Sequence, residues 1–293
     1  MKLFSVLKFI CNHELNKKNK LEALIRFFKW QLNCKFNPYP VIFPFTARAK
    51  LIIGKGMTGA TGNLYCGLHD FEDMSFLLHF LRREDLFIDI GANIGSYTVL
   101  AAAHIGATTL SFEPVPSTFS HLLNNIALNR IGNKVQAFNI ALSAEKGSVS
   151  FTSSLDTVNH VALNAEQDQI EVNTERLDDV LTEQMSPLLI KIDVEGFEAE
   201  VLKGATNTLK NSNLRAIIIE LNGSGARYGY EDQHIHQSLI DLGFDAYVYK
   251  PFERILTGVR KLGTLNTIYI RDFDFVEGRL KSAEEINILN NRY

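Results

Sequence analysis

The stretch FIDIGANIGSYTVL, residues 87–100, constrains the fold of this chain more than any other. An apolar, strand-like run enters a turn between Gly91 and Gly95, and helix-forming residues follow the turn. A strand that passes through a glycine turn into a helix is typical of a doubly wound α/β sheet, where ligands bind at the carboxyl ends of the strands. The turn therefore predicts a ligand site.

The alternation of strands and helices continues along the chain. Strands are predicted at 86–90, 108–112, 134–140, 188–193, 215–221, 244–250 and 265–271, and helices at 95–105, 117–130, 197–209 and 232–242. This pattern implies a mostly parallel sheet covered on both faces. The segments GSVSFTSS and QIEVNT resemble edge strands, and the polar stretch 155–169 forms a loop of the length that often carries function.

Residues 1–69 are predicted to form a helical segment and a small β lead-in, ahead of a second domain at 70–293 that begins with a helix. Residues 1–35 read as helices interrupted near KKNK, and residues 41–65 read as short strands separated by glycines. The helical segment is locally basic. Two interpretations stay open: packing helices with a solvated charged face, or an amphipathic surface that rests on an anionic membrane or binds a partner.

Composition and cysteine spacing exclude several classes of protein. With 30 basic and 33 acidic residues the net charge is -3, which does not indicate a nucleic-acid partner. Cys11, Cys34 and Cys66 show neither disulfide-framework nor zinc-site spacing. No run approaches the roughly 20 apolar residues of a membrane span, and no signal-peptide cleavage pattern follows the N-terminus. We therefore predict a cytoplasmic protein whose membrane contact, if present, is peripheral and made by residues 1–35.

The composition of the glycine turn separates the candidate ligands. A dinucleotide fingerprint aligned from Gly91 needs two further glycines, where this chain has Asn93 and Ser96. The carboxylate of Asp89, beside the turn, would repel a phosphate. S-adenosylmethionine has a sulfonium, an ammonium and a carboxylate but no phosphate, so this turn favours it.

Glu113 ends the next strand, 22 positions after Gly91. This is close to the spacing at which an acidic side chain accepts hydrogen bonds from ribose hydroxyls. Glu113 therefore predicts an adenosine-type ligand, although by itself it does not separate NAD from S-adenosylmethionine.

Five segments, in order, resemble the FkbM-type S-adenosylmethionine-dependent methyltransferases: IDIGANIGSYT, SFEPVPSTFSHLLNNIALN, LDDVL, LLIKIDVEGFEAEVLKGA and IIIELN. The resemblance covers about residues 70–271. It implies a seven-stranded methyltransferase sheet whose last strand is antiparallel, formed by the hairpin of FDAYVYK and TLNTIYIRD. It also implies methyl transfer to oxygen, commonly a hydroxyl of a saccharide or of a polyketide-type small molecule.

The resemblance also implies roles for individual residues. Five would line the methionine half of S-adenosylmethionine: Asp89, Gly91, Ala92, Asn93 and Gly95. Glu113 would hold the ribose, Asn139 and Ala141 would lie near the adenine, and Asp193 and Glu195 would face the transferring methyl group.

Asp193 and Glu195, at the end of the fourth strand, are the predicted catalytic residues. A carboxylate near the acceptor hydroxyl can take its proton, which is worth about 10²–10⁴-fold in rate. The alternative interpretation is that these acids cap the helix that follows. Together with Glu220 they also offer oxygen ligands of the kind that Mg²⁺ prefers, but we predict no metal site.

Other residues and functions carry weaker signals. Tyr228 and Tyr230 are candidates for an acceptor pocket, and His160 lies in the long polar loop. His234 and His236, two positions apart, would point to different faces of a helix and so would not share a metal. An NAD(P)-dependent oxidoreductase and a non-catalytic binding module remain alternative functions. Nucleic acid is not predicted as acceptor because no N-P-P-Y-type motif follows the fourth strand.

Overall fold

The computed structural model describes residues 3–152, 159–163, 168–259 and 266–293. The helices are α1 (Leu3–Asn12), α2 (Lys20–Phe36), α3 (Thr58–Cys66), α4 (Phe71–Phe80), α5 (Ser96–Val99), α6 (Pro116–Asn129), α7 (Leu177–Val180), α8 (Glu198–Lys203), α9 (Thr206–Lys210), α10 (Asp232–Asp241) and α11 (Phe273–Lys281). The strands are β1 (Val41–Pro44), β2 (Lys50–Ile53), β3 (Leu86–Ile90), β4 (Thr108–Phe112), β5 (Val135–Phe138), β6 (Ala141–Leu142), β7 (Gly147–Thr152), β8 (Gln169–Glu175), β9 (Leu189–Ile192), β10 (Ala216–Glu220), β11 (Asp245–Lys250), β12 (Ile255–Gly258), β13 (Asn266–Ile270), β14 (Asn287–Ile288) and β15 (Asn291–Arg292).

The central sheet confirms the predicted doubly wound fold. Its strand order is β12-β11-β13-β10-β9-β3-β4-β5. Strands β10, β9, β3, β4 and β5 are parallel, and β13 is antiparallel to both of its neighbours. The sheet has eight strands rather than the predicted seven, because β12 adds a further antiparallel strand beside β11. The sequence had not indicated this edge strand.

Strand β3 has buried apolar side chains on both of its faces, as a central strand requires. Phe87 packs in the hydrophobic cluster on one face of the sheet, whereas Ile88 and Ile90 pack in the cluster on the other face. All three are buried, and each buried side chain of this size contributes roughly 1.5–3 kcal/mol relative to an exposed one. The carboxyl ends of β3, β4 and β9 therefore lie together in the middle of the sheet.

The two runs predicted as edge strands are strands β7 and β8, which form a separate three-stranded sheet with β6. Two local predictions were wrong. The glycine-rich segment predicted as strand forms helix α3, because Gly62 allows the His69 ring to approach where a Cβ would lie 2.6 Å from Nδ1. The single helix predicted at 197–209 is divided at Gly204, where a Cβ would lie 2.0 Å from the Ser143 carbonyl oxygen.

The N-terminal segment forms the two predicted helices, with the break between Asn12 and Lys20. Leu15 and Trp30 pack in the same hydrophobic cluster as residues of α4 and β3. Within the ranges given above, no helix combines the length and the apolar character needed to cross a bilayer. The division into domains at residue 70 and the cytoplasmic location stay predictions, as does most of the predicted loop 155–169, which lies outside the described residues.

Candidate active site

A cavity of about 670 Å³ opens at the carboxyl ends of β3, β4 and β9. Its volume lies in the range of about 300–1,000 Å³ that is usual for small-molecule sites. Seven of the ten predicted site residues line it: Gly91, Ala92, Asn93, Glu113, Ala141, Asp193 and Glu195. Helices α1, α2 and α3 complete the wall, with Phe9, Gln31 and Asn63 among their contributions.

The glycine turn is built for close backbone contact. Gly91 has a φ of 74°, and a Cβ there would lie 1.8 Å from the Asp193 carbonyl oxygen. The amides of Gly91 and Ala92 both donate to the Phe112 carbonyl, at 3.0 and 2.9 Å. Asn93 is also left-handed, with a φ of 50°, a conformation that asparagine tolerates better than most residues. The turn thus joins β3, β4 and the end of β9 into one rigid edge.

Glu113 lies at the bottom of this edge with its carboxylate buried. Its two oxygens accept hydrogen bonds from the amides of Asn93 and Val115, each at 3.0 Å. Burial raises the pKa of Glu113 to about 7, although these two amide bonds oppose the shift. Each oxygen keeps a free acceptor position, so the side chain suits the two hydroxyls of a ribose.

Asp89, Gly95 and Asn139 are not among the residues that line the cavity. Their predicted places, at the methionine half for Asp89 and Gly95 and near the adenine for Asn139, stay predictions. Asp89 is fully buried and accepts a hydrogen bond from Thr98 at 2.7 Å. Gly95, with a φ of 89°, precedes α5. The Asn139 side chain donates to the Glu113 carbonyl at 2.9 Å and so fixes the end of β4.

Lys191 is a site residue that the sequence reasoning missed. It lies in β9 directly opposite Asp89 of β3, and its ammonium contacts Asp193 at 3.0 Å and the Gly91 carbonyl at 3.3 Å. Burial alone lowers the pKa of Lys191, but the charges of Asp193 and Asp89 outweigh it and leave the pKa above its ordinary value. The signal was available, because a lysine in the apolar run LLIKI needs a buried anionic partner.

Three carboxylates meet beside the glycine turn. Oxygens of Asp193, Glu195 and Glu220 all lie within 4.8 Å of one another. Burial and the Asp193 charge raise the pKa of Glu195 to about 7, and burial together with both neighbours raises the pKa of Glu220 to about 8. Such a cluster either shares protons near neutral pH or binds a cation.

The turn after β9 holds Glu195 in an unusual conformation. Glu195 has a φ of 56° and Gly196 a φ of 106°, and the left-handed region costs a residue with a Cβ roughly 1–2 kcal/mol. Glu198 stabilises the turn, since one of its oxygens accepts from the amides of Val194 and Gly196. Glu198 therefore holds this turn in place. Phe197, the residue before α8, makes no side-chain capping hydrogen bond to the helix.

The remaining candidates lie at the edge of the site or outside it. Tyr228 packs edge-on against Phe197 and donates to the Val161 carbonyl, whereas Tyr230 bonds Glu200 on the surface. The buried His160 lies close enough to Glu195 to oppose, in part, the rise in the pKa of that carboxyl. In α10, His236 bonds the Tyr269 hydroxyl and His234 is exposed.

The raised pKa values predict how stability depends on pH. Folded Glu195 and Glu220 keep protons that the unfolded chain has released, so the free energy of unfolding should fall as pH rises from 7 to 9. Burial lowers the pKa of His79 to about 3 and that of His104 to about 4. These two histidines make the free energy of unfolding rise with pH, but only below their unfolded pKa near 6.5, so they do not affect this range. Thermal unfolding of the ligand-free protein between pH 7 and 9 measures the carboxylate effect.

Glu220→Gln should flatten this decrease, because the amide stays neutral where the carboxylate must ionise. The variant should therefore unfold at a higher temperature than the natural protein at pH 9. Glu231→Gln, at a carboxylate that is 75% exposed, is the matched control and should leave the profile unchanged. Identical slopes for the Glu220 variant and the natural protein would contradict the assignment.

The fold and the site define a Rossmann-like methyltransferase. A family model described as the methyltransferase FkbM domain matches residues 89–246, which is more than half of the chain. The chain belongs to the FkbM methyltransferase family, as the sequence motifs had predicted.

Three comparisons describe its relatives. The hexuronic acid methyltransferase AglP of Haloferax volcanii is 29% identical over 205 residues, covering 69% of this chain and 74% of that protein. The 31-O-demethyl-FK506 methyltransferase FkbM of Streptomyces tacrolimicus is 30% identical over 171 residues, covering 46% of this chain and 65% of that protein. The crystal structure of methyltransferase FkbM from Methylobacillus flagellatus has a TM-score of 0.46 at 14% identity and covers 73% of this chain and 55% of that one.

Proposed function

We propose that this methyltransferase uses S-adenosylmethionine to methylate a hydroxyl of a saccharide or of a polyketide-type small molecule. The charge of the cavity wall carries the proposal. Among the described residues, five carboxylates line it, those of Asp70, Glu113, Asp193, Glu195 and Glu220, together with one ammonium, that of Lys191. Such a wall attracts a net cationic ligand and repels a pyrophosphate, which argues for the sulfonium cofactor and against NAD.

The residues present fit this cofactor. Gly91, Ala92 and Asn93 line the cavity and would border its amino-acid end. Glu113 would accept from the ribose hydroxyls, and Ile140 and Ala141 would border the adenine. When bound, S-adenosylmethionine supplies an electrophilic methyl group on a sulfonium.

The chain's own task is to position the acceptor and take its proton. Among the described residues, no hydrogen bond or ion pair holds the Glu195 carboxylate, whereas Asp193 is paired with Lys191. Glu195 also has a pKa of about 7, close to the value at which a base is most effective at neutral pH. We therefore assign Glu195 as the base and Asp193 as the group that orients the acceptor.

The acceptor class rests on the named relatives. One is named for hexuronic acid and the other for 31-O-demethyl-FK506. Release of S-adenosylhomocysteine should be screened first with glycosides of hexuronic acids and then with hydroxylated macrolides. Turnover with a hydroxyl acceptor and not with its methyl ether supports O-methylation; turnover only with amine or thiol acceptors contradicts it.

Calorimetric titration tests the cofactor directly. S-adenosylmethionine should bind and release protons at pH 7, because its positive charge lowers the pKa values of the neighbouring carboxylates. S-adenosylhomocysteine lacks the sulfonium and should release fewer. Repeating the titration in buffers of different ionisation enthalpy gives the number of protons. Proton uptake with NAD, and no binding of S-adenosylmethionine, would contradict the proposal.

Glu113→Gln should weaken S-adenosylmethionine binding by about 10–100-fold, since hydrogen bonds to a charged group are worth about 1.5–3 kcal/mol. Glu200→Gln provides the control, because this acid bonds Lys203 and Tyr230 away from the cavity. Equal affinities in the two variants would contradict the role of Glu113 in holding the ribose.

A further inference from the structure

Helix α2 is apolar on two opposite faces, and only one of them is covered by protein. Ala23, Phe27 and Trp30 are its buried residues. On the other side four large apolar side chains are exposed: Leu21 at 72%, Ile25 at 42%, Phe28 at 55% and Leu32 at 59%. Their spacing of four, three and four residues places them in one line along the helix. We call these four residues the apolar stripe.

Further exposed apolar side chains lie in the same segment of the chain. Leu3 and Phe4 of α1 are 60% and 78% exposed, Phe36 at the end of α2 is 74% exposed, and Tyr39 beyond it is 75% exposed. Soluble proteins rarely leave so many large apolar side chains together in contact with water. A surface of this kind marks a docking site.

The charges around the stripe indicate what docks there. Successive helix residues are about 100° apart, so Lys29 and Lys35 border the stripe on opposite sides. Residues 1–35 carry eight basic and two acidic residues, whereas the rest of the chain carries 22 basic and 31 acidic residues. The positive charge is therefore concentrated in the segment that carries the apolar stripe, in a chain that is acidic elsewhere.

We propose that the apolar stripe and its flanking lysines bind the anionic surface of a lipid bilayer, with α2 lying parallel to the membrane plane. An apolar line bordered by lysines inserts its side chains among the acyl chains while the ammonium groups contact the anionic headgroups. A symmetric contact with a second copy fits less well, because it would bring the lysines of both copies together.

The position of this face bears on the acceptor. Val6 and Phe9 of α1 and Gln31 of α2 line the cavity, so a bilayer on α2 lies beside the site. An acceptor presented at the membrane surface would reach the cavity without crossing the protein. This consequence rests on the proposed methyl transfer, whereas membrane binding itself does not.

Vesicle flotation of the full chain, without cofactor or acceptor, tests the proposal. The protein should float with phosphatidylcholine vesicles containing 30% phosphatidylglycerol at least tenfold more than with phosphatidylcholine alone, and salt should reduce binding. Phe28→Ser with Leu32→Ser should lower binding at least tenfold, as should Lys29→Gln with Lys35→Gln. None of these four side chains lines the cavity.

Matched controls separate the stripe from general effects. Val248→Ser with Ile255→Ser changes two apolar residues of similar exposure, 44% and 47%, on β11 and β12, and Lys210→Gln with Lys250→Gln changes two exposed lysines elsewhere. Both controls should bind like the natural protein. Absence of binding to anionic vesicles would overturn the proposal, as would equal losses in test and control pairs. A dimer that the Phe28 and Leu32 changes dissociate, without vesicle binding, would assign the stripe to a second copy instead.

Discussion

Glu195→Gln is expected to lower the turnover number by about 10²–10⁴-fold, the usual contribution of a positioned base. Glutamine keeps the size of the side chain but cannot accept the hydroxyl proton. The affinity for S-adenosylmethionine should fall less than in Glu113→Gln, because Glu195 adds charge to the cavity wall but is not among the residues proposed to hold the ribose or the amino-acid end. Turnover is measured as S-adenosylhomocysteine release at saturating acceptor, and affinity by calorimetry.

The pH dependence of the reaction provides a second readout. With Glu195 as base, the rate of the natural protein should rise with pH through the pKa of about 7, and this rise should be absent in Glu195→Gln. Glu200→Gln is the control and should retain both the rate and the profile. A full rate in Glu195→Gln, with loss in Asp193→Asn, would transfer the role of base to Asp193.

Gly91→Ala is expected to destabilise the fold by about 2–5 kcal/mol. About 1–2 kcal/mol comes from the left-handed backbone, and a further 1–3 kcal/mol comes from overpacking. The new Cβ would lie 1.8 Å from the Asp193 carbonyl oxygen, which is main chain and cannot rotate away. Strands β3 and β9 would have to separate at the centre of the sheet. Urea denaturation monitored by circular dichroism measures the change.

Substitutions at two other glycines separate the backbone cost of Gly91→Ala from its steric cost. Gly243 has a φ of 85° and open space around it, so Gly243→Ala should show the backbone cost alone. Gly132 has neither feature, and Gly132→Ala should change the free energy of unfolding by less than about 1 kcal/mol. If Gly91→Ala and Gly243→Ala cost the same, the close approach of β3 and β9 at this turn is wrong.

The central part of the fold could be predicted because its signals are local. Each predicted strand from 86–90 to 244–250 is present within a few residues, since the alternation of apolar strands and amphipathic helices is written in consecutive positions. Failures occurred where distant contacts outweighed local preference. Helix α3 contains two glycines, Gly59 and Gly62, and forms because it packs against His69 and the cavity wall.

The site divides in the same way. The sequence pointed to Gly91, Asn93 and Glu113 as residues of the cavity because their signal is the spacing within one strand-turn-helix-strand unit. Sequence spacing could not show that Asp89 lies behind the wall, nor that Lys191 crosses to Gly91 and Asp193. Both facts depend on the register between β3 and β9, whose paired residues lie about 100 positions apart along the chain.

By itself, the sequence determined the doubly wound sheet, the methyltransferase family and the edge of the sheet where the cavity opens, since periodicity and turn residues act over a few positions. Only the tertiary structure decided which carboxylates meet, which of them is tied to Lys191, and that helices α1 and α2 form part of the cavity wall. The pKa values of Glu113, Glu195 and Glu220 follow from burial first, and then from the amides and charges that folding brings beside them. Such properties exist only once the chain has folded.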